Sequence, residues 1–291
     1  PFMSCSAKLP VYIVLAGAFF GARAGTVIFG IYLLGIVLSI VTGRLFRSTL
    51  LRGEDAPFVM ELPPYRIPMV KSLMIHMWDR SKIFLRKMGG LILIGSIVIW
   101  ALSNFPRDVA IDETYRQQAA ETVAEFENAL AQTPADQQAI LRDGFESRLA
   151  ALENQRQSAM IEQSLIGRIG HAIAPVFTPL GIDWRGGVAL LTGFVAKEIV
   201  VSTLGVLHSI GAESDDNALK QALVESGMTP LAALAMMAFV LLYMPCLATV
   251  SAIRRETGSL KWMTFSIVYS SLMAWMVAFV IYQGGRIVGP V

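Results

Sequence analysis

The chain has 291 residues, of which 54% are hydrophobic and 16% are charged, and its mean hydropathy is +0.56. This composition excludes a disordered chain, an ordinary soluble enzyme and a nucleic-acid binder built on a basic face. A membrane protein with several spans is the class that remains. The chain opens at Pro1 with no initiator methionine and no signal pattern, so we expect it to be a fragment of a longer protein.

Apolar runs long enough to cross a membrane recur along the chain. A spanning helix needs about 20 mostly apolar residues, because each residue rises about 1.5 Å through a hydrocarbon core of about 30 Å. Four uncharged runs approach or exceed this length, at 26–43, 88–106, 226–253 and 262–285. Two other runs are deficient, since 9–22 is short with Lys8 at its entrance and 186–207 carries Lys197 and Glu198 at its centre. The sequence therefore predicts an all-α polytopic bundle with broken helices.

Basic residues orient these spans. Residues 44–87 hold nine lysines and arginines against four acids, which predicts a cytoplasmic loop by the positive-inside rule. Its second half, 69–87, is typical of an amphipathic helix on the inner leaflet, or of a helix packed against other protein. Arg254 and Arg255 lie on the cytoplasmic side, together with the loop 44–87, only if the run 186–207 does not cross the membrane. We therefore predict that this run is a re-entrant or broken helix.

A hydrophilic insert separates the two membrane parts. Residues 107–163 hold five arginines and eleven acids, and two tracts within them show helical periodicity. We predict an antiparallel helical hairpin outside the membrane, with a structural or docking role. The predicted organisation is a membrane part at 1–106, an extracytoplasmic insert at 107–170 and a second membrane part at 171–291.

The two cysteines, Cys5 and Cys246, occupy similar pentapeptides, MSCSA and MPCLA. Two cysteines are too few for a disulfide scaffold. A thiolate is a soft ligand that selects iron, zinc or copper(I), whereas a thiol in a span often packs as a small hydrophobe. Pro245 predicts a kink that frees the backbone carbonyl near residue 241. This carbonyl is either a ligand for a dehydrating cation or part of an ordinary kink that neighbouring side chains accommodate. We take Pro245 and Met244 as supporting residues of this candidate site.

Lys197 and Glu198 are the sharpest anomaly in the sequence. An ionisable side chain at the bilayer centre costs about 2.5–3.5 kcal/mol on insertion scales, so it usually faces a polar cavity or a partner. In the functional interpretation Glu198 is a metal ligand or gate in a permeation path and Lys197 balances its charge. In the structural interpretation the two residues cap a half-helix. The sequence has no P-loop and no nucleophile elbow, so we expect neither a nucleotide site nor a catalytic residue.

Three segments resemble the family of ferrous iron transport protein B, FeoB: PFMSCSAKLPVY at 1–12, GFVAKEIVVSTL at 193–204 and YMPCLATVSAIRRE at 243–256. The first and third resemble the two Gate motifs of that family, and the resemblance weakens only in the insert. It implies a bacterial inner-membrane permease that moves Fe(II) into the cytoplasm. It also implies that Cys5 and Cys246 line the iron path, that a GTP-binding domain belongs ahead of Pro1, and that a small protein, FeoA, is a partner.

The interpretation that we carry forward is the C-terminal Gate portion of a ferrous iron permease without its GTPase domain. Fe(II) is the expected substrate, bound in transit by Cys5, Cys246 and Glu198. The expected partners are the lipid bilayer, an FeoA-like protein, the GTPase domain and further copies in a homo-oligomer, with no nucleic acid. The insert at 107–170 is expected in the periplasm.

Two alternatives stay open at this point. In the first, the chain is a membrane anchor and interaction module that docks partners through 44–87 and 107–163 while the path lies elsewhere. The placement of Lys197 and Glu198 distinguishes the anchor from the permease. If these side chains face lipid or are buried without a cavity, the anchor is favoured, and if they face a cavity, the permease is favoured. In the second, the chain carries a nucleoside or another small solute, an interpretation that rests on the Gate label alone.

Overall fold

The computed structural model describes residues 2–50, 69–106, 109–132, 134, 138–208 and 216–288. Pro1 and the middle of the predicted basic loop, 51–68, lie outside the described residues. The described residues form helices and contain no strand, so the predicted all-α class is confirmed.

The first two helices form an antiparallel pair, α1 (Leu9–Phe20) and α2 (Ala24–Thr49). A short 3₁₀ turn that starts at Gly21, with φ at 47°, reverses the chain between them. Tyr12 of α1 meets the edge of Tyr32 of α2, with ring centroids 6.2 Å apart. The short run predicted to be broken is thus a half-length helix of about 18 Å, whereas α2, at about 39 Å, is long enough to cross a membrane.

The third helix, α3 (Val70–Asn104), is a single element of 35 residues. The predicted amphipathic helix at 69–87 and the predicted span at 88–106 are therefore one continuous helix. Residues 69–82 are all exposed, so this segment does not pack against the described part of the chain. Among described residues the apolar portion of α3 is Leu93–Asn104, which is shorter than a full span.

The insert is an antiparallel hairpin of α4 (Val109–Gln132) and α5 (Gln138–Gln163), as predicted. Phe126 of α4 stacks on Phe145 of α5, with ring centroids 4.1 Å apart. Near the base of the hairpin Arg156 of α5 pairs with an acid of α4 and with Glu153 on its own helix. We call the end of the bundle that carries this hairpin the insert end.

The segment after the insert consists of short helices, α6 (Leu165–Phe177), α7 (Trp184–Thr192), α8 (Ile199–Leu207) and α9 (Asp216–Glu225). The chain bends by 108° between α6 and α7 and breaks again between α7 and α8. The α8 helix ends at the insert, where the Ser158 hydroxyl donates to the Leu207 carbonyl at 3.1 Å. The prediction of a broken helix at 186–207 is confirmed.

The last three helices are α10 (Pro230–Leu242), α11 (Leu247–Thr257) and α12 (Leu260–Val288). The run predicted as one kinked helix at 226–253 is thus two helices. The α10 helix is the centre of the core, because ten of its thirteen residues are buried and it has no polar face. Among the described residues, three helical stretches are long and apolar enough to span a membrane, and the bent pair of α6 and α7 makes a fourth if it counts as one span.

Two basic clusters lie at the same end of the bundle. Phe46, near the end of α2, contacts Phe265, near the start of α12, with ring centroids 5.7 Å apart. Arg44 therefore lies at the same end as Arg254 and Arg255, which close α11. We call this the basic end. This arrangement agrees with the argument that the broken run between α7 and α8 does not cross the membrane.

A glycine on α2 tests the packing of this helix against the centre of the bundle. A Cβ on Gly35 would lie 2.7 Å from the Phe2 carbonyl oxygen and 3.2 Å from the Leu241 side chain, whereas a Cβ on Gly30 would meet open space. We expect Gly35→Ala to lower the free energy of unfolding by about 1–3 kcal/mol through overpacking. Gly30→Ala is expected to leave it unchanged or raise it by up to about 1 kcal/mol. Thermal unfolding in detergent measures both, and equal effects would contradict the packing.

An ion pair at the base of the insert yields a second prediction. Arg156 donates two hydrogen bonds to Glu153, at 2.7 and 2.9 Å, and these bonds hold the pKa of Glu153 below its ordinary value of 4.5. Arg156 also pairs with Asp112 of α4. We expect Arg156→Gln to destabilise the hairpin by about 0.5–1 kcal/mol at neutral pH, and Arg148→Gln, whose pair with Glu125 is two-thirds exposed, to have almost no effect.

The pH dependence follows from the lowered pKa of Glu153. The contribution of its pair with Arg156 is complete above pH 4.5 and disappears as the pH falls through the lowered pKa. Hydrogen exchange of α4 and α5 at pH 7 and pH 3 measures this change. A difference between wild type and Arg156→Gln that persists at pH 3 would show that the pair is not its cause.

Candidate functional site

Three segments outside the α-helices meet at the centre of the molecule: residues 2–8, which lead into α1, residues 193–198 between α7 and α8, and residues 243–246 between α10 and α11. We call these segments the three breaks. The amide of Leu247 donates to the carbonyl of Phe194 at 3.0 Å and joins the second break to the third. Residues 2–8 are joined to the third break through Lys8, described next. Non-helical backbone at membrane depth requires enclosure by protein or a water-filled cavity, and each break here is partly enclosed by the other two.

The carbonyl that Pro245 leaves free has a specific partner. Proline at position 245 has no N–H, so the carbonyl of Leu241 lacks its helical donor. The ammonium group of Lys8 donates to this oxygen at 2.6 Å and to the Met3 carbonyl at 3.4 Å. Lys8 is only 2% exposed. The predicted free carbonyl at residue 241 is present, and a lysine ammonium bonds to it.

Lys197 is the second buried ammonium group at this centre. Its Nζ lies 4.3 Å from the centroid of the Tyr243 ring, and Lys197 is 5% exposed. The Tyr243 ring in turn stacks on Phe239, one turn earlier in α10. Within the described residues neither Lys8 nor Lys197 pairs with a carboxylate. A cation–π contact in a desolvated site contributes about 2 kcal/mol, so the ring is a principal stabiliser of this buried charge.

The structure brings Cys5 and Cys246 to the same centre. Both lysine ammonium groups lie within electrostatic range of both sulfur atoms. Both cysteines are free, Cys5 is exposed and Cys246 is half-buried, with its Sγ 3.4 Å from the hydroxyl of Thr249. Both cysteines are thus at least partly exposed, whereas both lysines are buried.

The other predicted site residues occupy different surroundings. Glu198 is exposed, although the adjacent Lys197 is buried. Met244 lines an apolar groove with Leu272 and Trp275 of α12. Pro245 is buried within the third break. The structure thus brings together Cys5, Cys246, Lys197 and Pro245, and it leaves Glu198 and Met244 at the periphery.

Helix ends of both signs meet at the centre. The N-termini of α1, α8 and α11, each with about half a positive charge, begin at the breaks, and the C-termini of α7 and α10, each with about half a negative charge, end there. Two buried lysine side chains lie at the same place. A metal cation there needs anionic ligands, and the two cysteine sulfurs are the groups that become anionic on losing a proton. Within the described part of the chain, no three His, Cys, Asp or Glu side chains are grouped so that they could hold a metal ion.

A second concave region lies at the base of the insert. This cavity of about 680 Å³ is lined by polar and charged residues of α4 and α5 and by the ends of α3 and α8. Its charged residues Asp112, Arg116 and Arg156 already pair with one another. Their charges are therefore largely compensated, and the central breaks remain the stronger candidate for a cation site.

Lys8 and Tyr243 are the site residues that the sequence analysis missed. Lys8 was considered only as an interruption at the entrance of a short apolar run. The signal that identifies it is its similarity to Lys197, because each is a lysine next to an apolar segment that also contains a helix break. Tyr243 gives no such signal, since a tyrosine next to apolar residues is common in membrane helices.

The fold and the site define an all-α membrane protein whose broken helices meet at a central cluster of cysteine and lysine side chains. A family model described as nucleoside recognition, the Gate domain, matches residues 85–260, and one described as the C terminus of ferrous iron transport protein B matches residues 28–80. The chain therefore belongs to the FeoB family. No solved structure is significantly similar to it.

Several curated relatives align with almost the whole chain. A fusion of Fe(2+) transport protein A with the Fe(2+) transporter FeoB from Porphyromonas gingivalis is 46% identical over 98% of this chain and 33% of its own length. The Fe(2+) transporter FeoB of Campylobacter jejuni is 36% identical over 96% of the chain and 40% of its own length. The Fe(2+) transporter FeoB of Helicobacter pylori is 33% identical over 98% of the chain and 43% of its own length. The chain thus spans between a third and a half of these relatives.

The contact between Lys197 and Tyr243 yields the third prediction. The Tyr243 hydroxyl is buried without a hydrogen-bond partner in the described structure, so Tyr243→Phe is expected to leave stability unchanged. Tyr243→Leu removes the ring below the Lys197 ammonium. We expect it to destabilise the protein by about 1–2 kcal/mol more than Phe239→Leu, which removes a ring with no cation over it. Thermal unfolding in detergent gives the comparison, and equal losses would exclude a cation–π contribution.

Proposed function

We propose that the chain forms the membrane part of a permease that moves Fe(II) across the bacterial inner membrane into the cytoplasm. The observation that carries this proposal is that Cys5 and Cys246, from two of the three breaks, both lie within electrostatic range of the same two buried lysines, Lys8 and Lys197. Paired discontinuous helices at the midplane are the usual construction of an ion site in membrane transporters. The curated relatives are named as Fe(2+) transporters, which supports iron as the transported ion.

The ligand chemistry suits a transported ion better than a permanently bound one. Fe(II) accepts soft sulfur ligands together with harder oxygen ligands, and here the Lys8 ammonium bonds to the Leu241 carbonyl and lies within electrostatic range of both sulfurs. A path must bind the ion strongly enough to admit it and weakly enough to release it. Two partly exposed cysteines near two buried lysine side chains meet this requirement. Glu198, exposed at the start of α8, is proposed as an oxygen ligand that the ion meets on its approach.

The orientation follows from the distribution of charge. The basic end, with Arg44, Arg254 and Arg255, is proposed to face the cytoplasm, as the positive-inside rule requires. The insert at 107–170 is then periplasmic, and the chain crosses the membrane several times. Fe(II) is proposed to pass from the insert end to the basic end through the central site.

The partners of this permease are also proposals. One relative joins Fe(2+) transport protein A to FeoB in a single chain, which supports an FeoA-like protein as a partner. The relatives are more than twice as long as the part that aligns, which leaves room for a GTP-binding domain elsewhere in the complete protein. Association into a homo-oligomer is a further proposal.

The anchor hypothesis keeps one supporting observation. Lys197 is buried by protein, and a closed position of this residue also fits a membrane module without a path. The permease is favoured because an inert module has no use for an exposed Cys5 beside a half-buried Cys246. A nucleoside carrier has only the description of the Gate family model in its favour.

The fourth prediction tests the permease directly. We expect Cys5→Ser and Cys246→Ser in the complete protein each to lower Fe(II) uptake by about tenfold, because a serine hydroxyl is a harder and weaker ligand for this ion. Uptake of radiolabelled iron into cells that lack other ferrous transporters measures this effect. The abundance of each variant in the membrane is determined in parallel.

Met244→Leu is the matched control, since it removes a neighbouring sulfur that lines the apolar groove instead of the central site. We expect it to retain wild-type uptake. If both serine variants transport iron normally at normal abundance, the two cysteines have no role in the path. If an excess of nucleoside reduces iron uptake, the carrier hypothesis gains support.

A further inference from the structure

The ammonium group of Lys8 lies where a transported cation would find its backbone ligand. Pro245 frees the Leu241 carbonyl, which accepts the hydrogen bond from Lys8. Leu241 is the last residue but one of α10, so this carbonyl lies at the C-terminal end of the helix. The C-terminal end of a helix carries a partial negative charge, so its free carbonyls attract cations. In discontinuous membrane helices, such carbonyls coordinate the transported ions.

The contact at this carbonyl is specific. The distance of 2.6 Å from Lys8 Nζ to Leu241 O is at the short end of the range for N–H···O hydrogen bonds. The residues lie 233 positions apart, so the contact is purely tertiary. Lys8 is also three residues after Cys5, and its ammonium lies within electrostatic range of both sulfurs. One positive charge therefore lies among the ligands that a metal ion would use.

We propose that Lys8 is a tethered cation, which occupies the Leu241 carbonyl in the metal-free protein and must be displaced before a divalent ion gains that ligand. The inference rests on the proposed iron path and adds a residue that sets how tightly the path holds its ion. A displaced ammonium group has a second acceptor nearby, the Met3 carbonyl, which is 3.4 Å away in the present structure. The competition weakens metal binding, and weak binding favours release of the ion.

Lys197 provides a comparison that separates two effects of Lys8. One is its occupation of the Leu241 carbonyl, and the other is the repulsion between its positive charge and a metal ion. Lys197 is also a lysine, it is buried to a similar degree, and it lies within electrostatic range of the same two sulfurs. Its contact is the face of the Tyr243 ring, however, and not the Leu241 carbonyl. Neutralising Lys197 therefore reduces the repulsion of a metal ion without freeing the backbone ligand.

The experiment is an anaerobic titration of the purified protein with Co(II), in which absorption by thiolate-to-metal charge transfer reports binding at the cysteines. We expect Lys8→Met to lower the dissociation constant of Co(II) by about tenfold or more, because a hydrogen bond from a charged donor no longer has to be broken. Lys197→Met is expected to lower it by a clearly smaller factor. Lys8→Arg keeps the charge and is expected to bind no more tightly than wild type.

Two controls keep the result interpretable. Lys8→Gln retains a neutral donor for the Leu241 carbonyl and replaces Lys8→Met if that variant loses helical circular dichroism. It is expected to tighten Co(II) binding in the same direction. Lys220→Gln, on α9 and outside the central site, is expected to bind Co(II) as the wild type does.

The outcomes distinguish this inference from the proposed function. Charge-transfer absorption in the wild type with an unchanged or weaker affinity in Lys8→Met overturns the role of Lys8 and leaves the cysteine site intact. Equal gains in Lys8→Met and Lys197→Met would show that charge alone matters, which also overturns it. If neither the wild type nor Lys8→Met shows the absorption, the cysteine site itself is refuted, together with the inference. Absorption that appears only in Lys8→Met supports the displacement in its strongest form.

Discussion

A backbone carbonyl that has lost its helical donor inside a membrane must find another one, and the centre of this protein is arranged around that requirement. Pro245 frees the Leu241 carbonyl, and Lys8 supplies the donor from the other end of the chain. To reach it, the first break must lie against the third, and α1 and α2 must fold back along α10. The hydrogen bond therefore links the local chemistry of one proline to the packing of three helices.

The same hydrogen bond determines the electrostatics of the site. A buried ammonium group is tolerated when its hydrogens are bonded or when an aromatic ring stabilises its charge, and Lys8 and Lys197 show one solution each. Helix ends of both signs, the N-termini of α1, α8 and α11 and the C-termini of α7 and α10, also lie there. In the proposed permease, passage of a cation through such a centre depends on groups that supply negative charge. Cys5 and Cys246 are placed there, at least partly exposed and within electrostatic range of both lysines.

The short helices are a consequence of the same arrangement. The α7 and α8 helices have nine residues each, about half the thickness of a bilayer. They bring a non-helical tip, residues 193–198, from the insert end to the centre. The insert stabilises the end of α8 through the contact of Ser158 with Leu207. In the proposed permease this gives the insert a structural role, because it holds the re-entrant pair at the depth where the breaks meet.

Much of the architecture was predictable from the sequence, because hydropathy and charge act locally. The positions of the long apolar runs, the acidic hairpin and the broken run at 186–207 follow from run lengths, helical periodicity and the charges at 197 and 198. The break at Pro245 follows from its missing N–H. The motifs around Cys5 and Cys246 predicted the family, and two family models that match residues 28–80 and 85–260 confirm the family.

The tertiary structure decided which of these residues meet. Lys197 and Glu198 are adjacent in sequence, yet one is buried and the other exposed. No local pattern specifies that the partner of the Leu241 carbonyl lies 233 residues away, or that Tyr243 lies below Lys197. Such contacts depend on how whole helices pack. The sequence by itself determined the helices and where they break, and only packing in three dimensions decided that the breaks form one site.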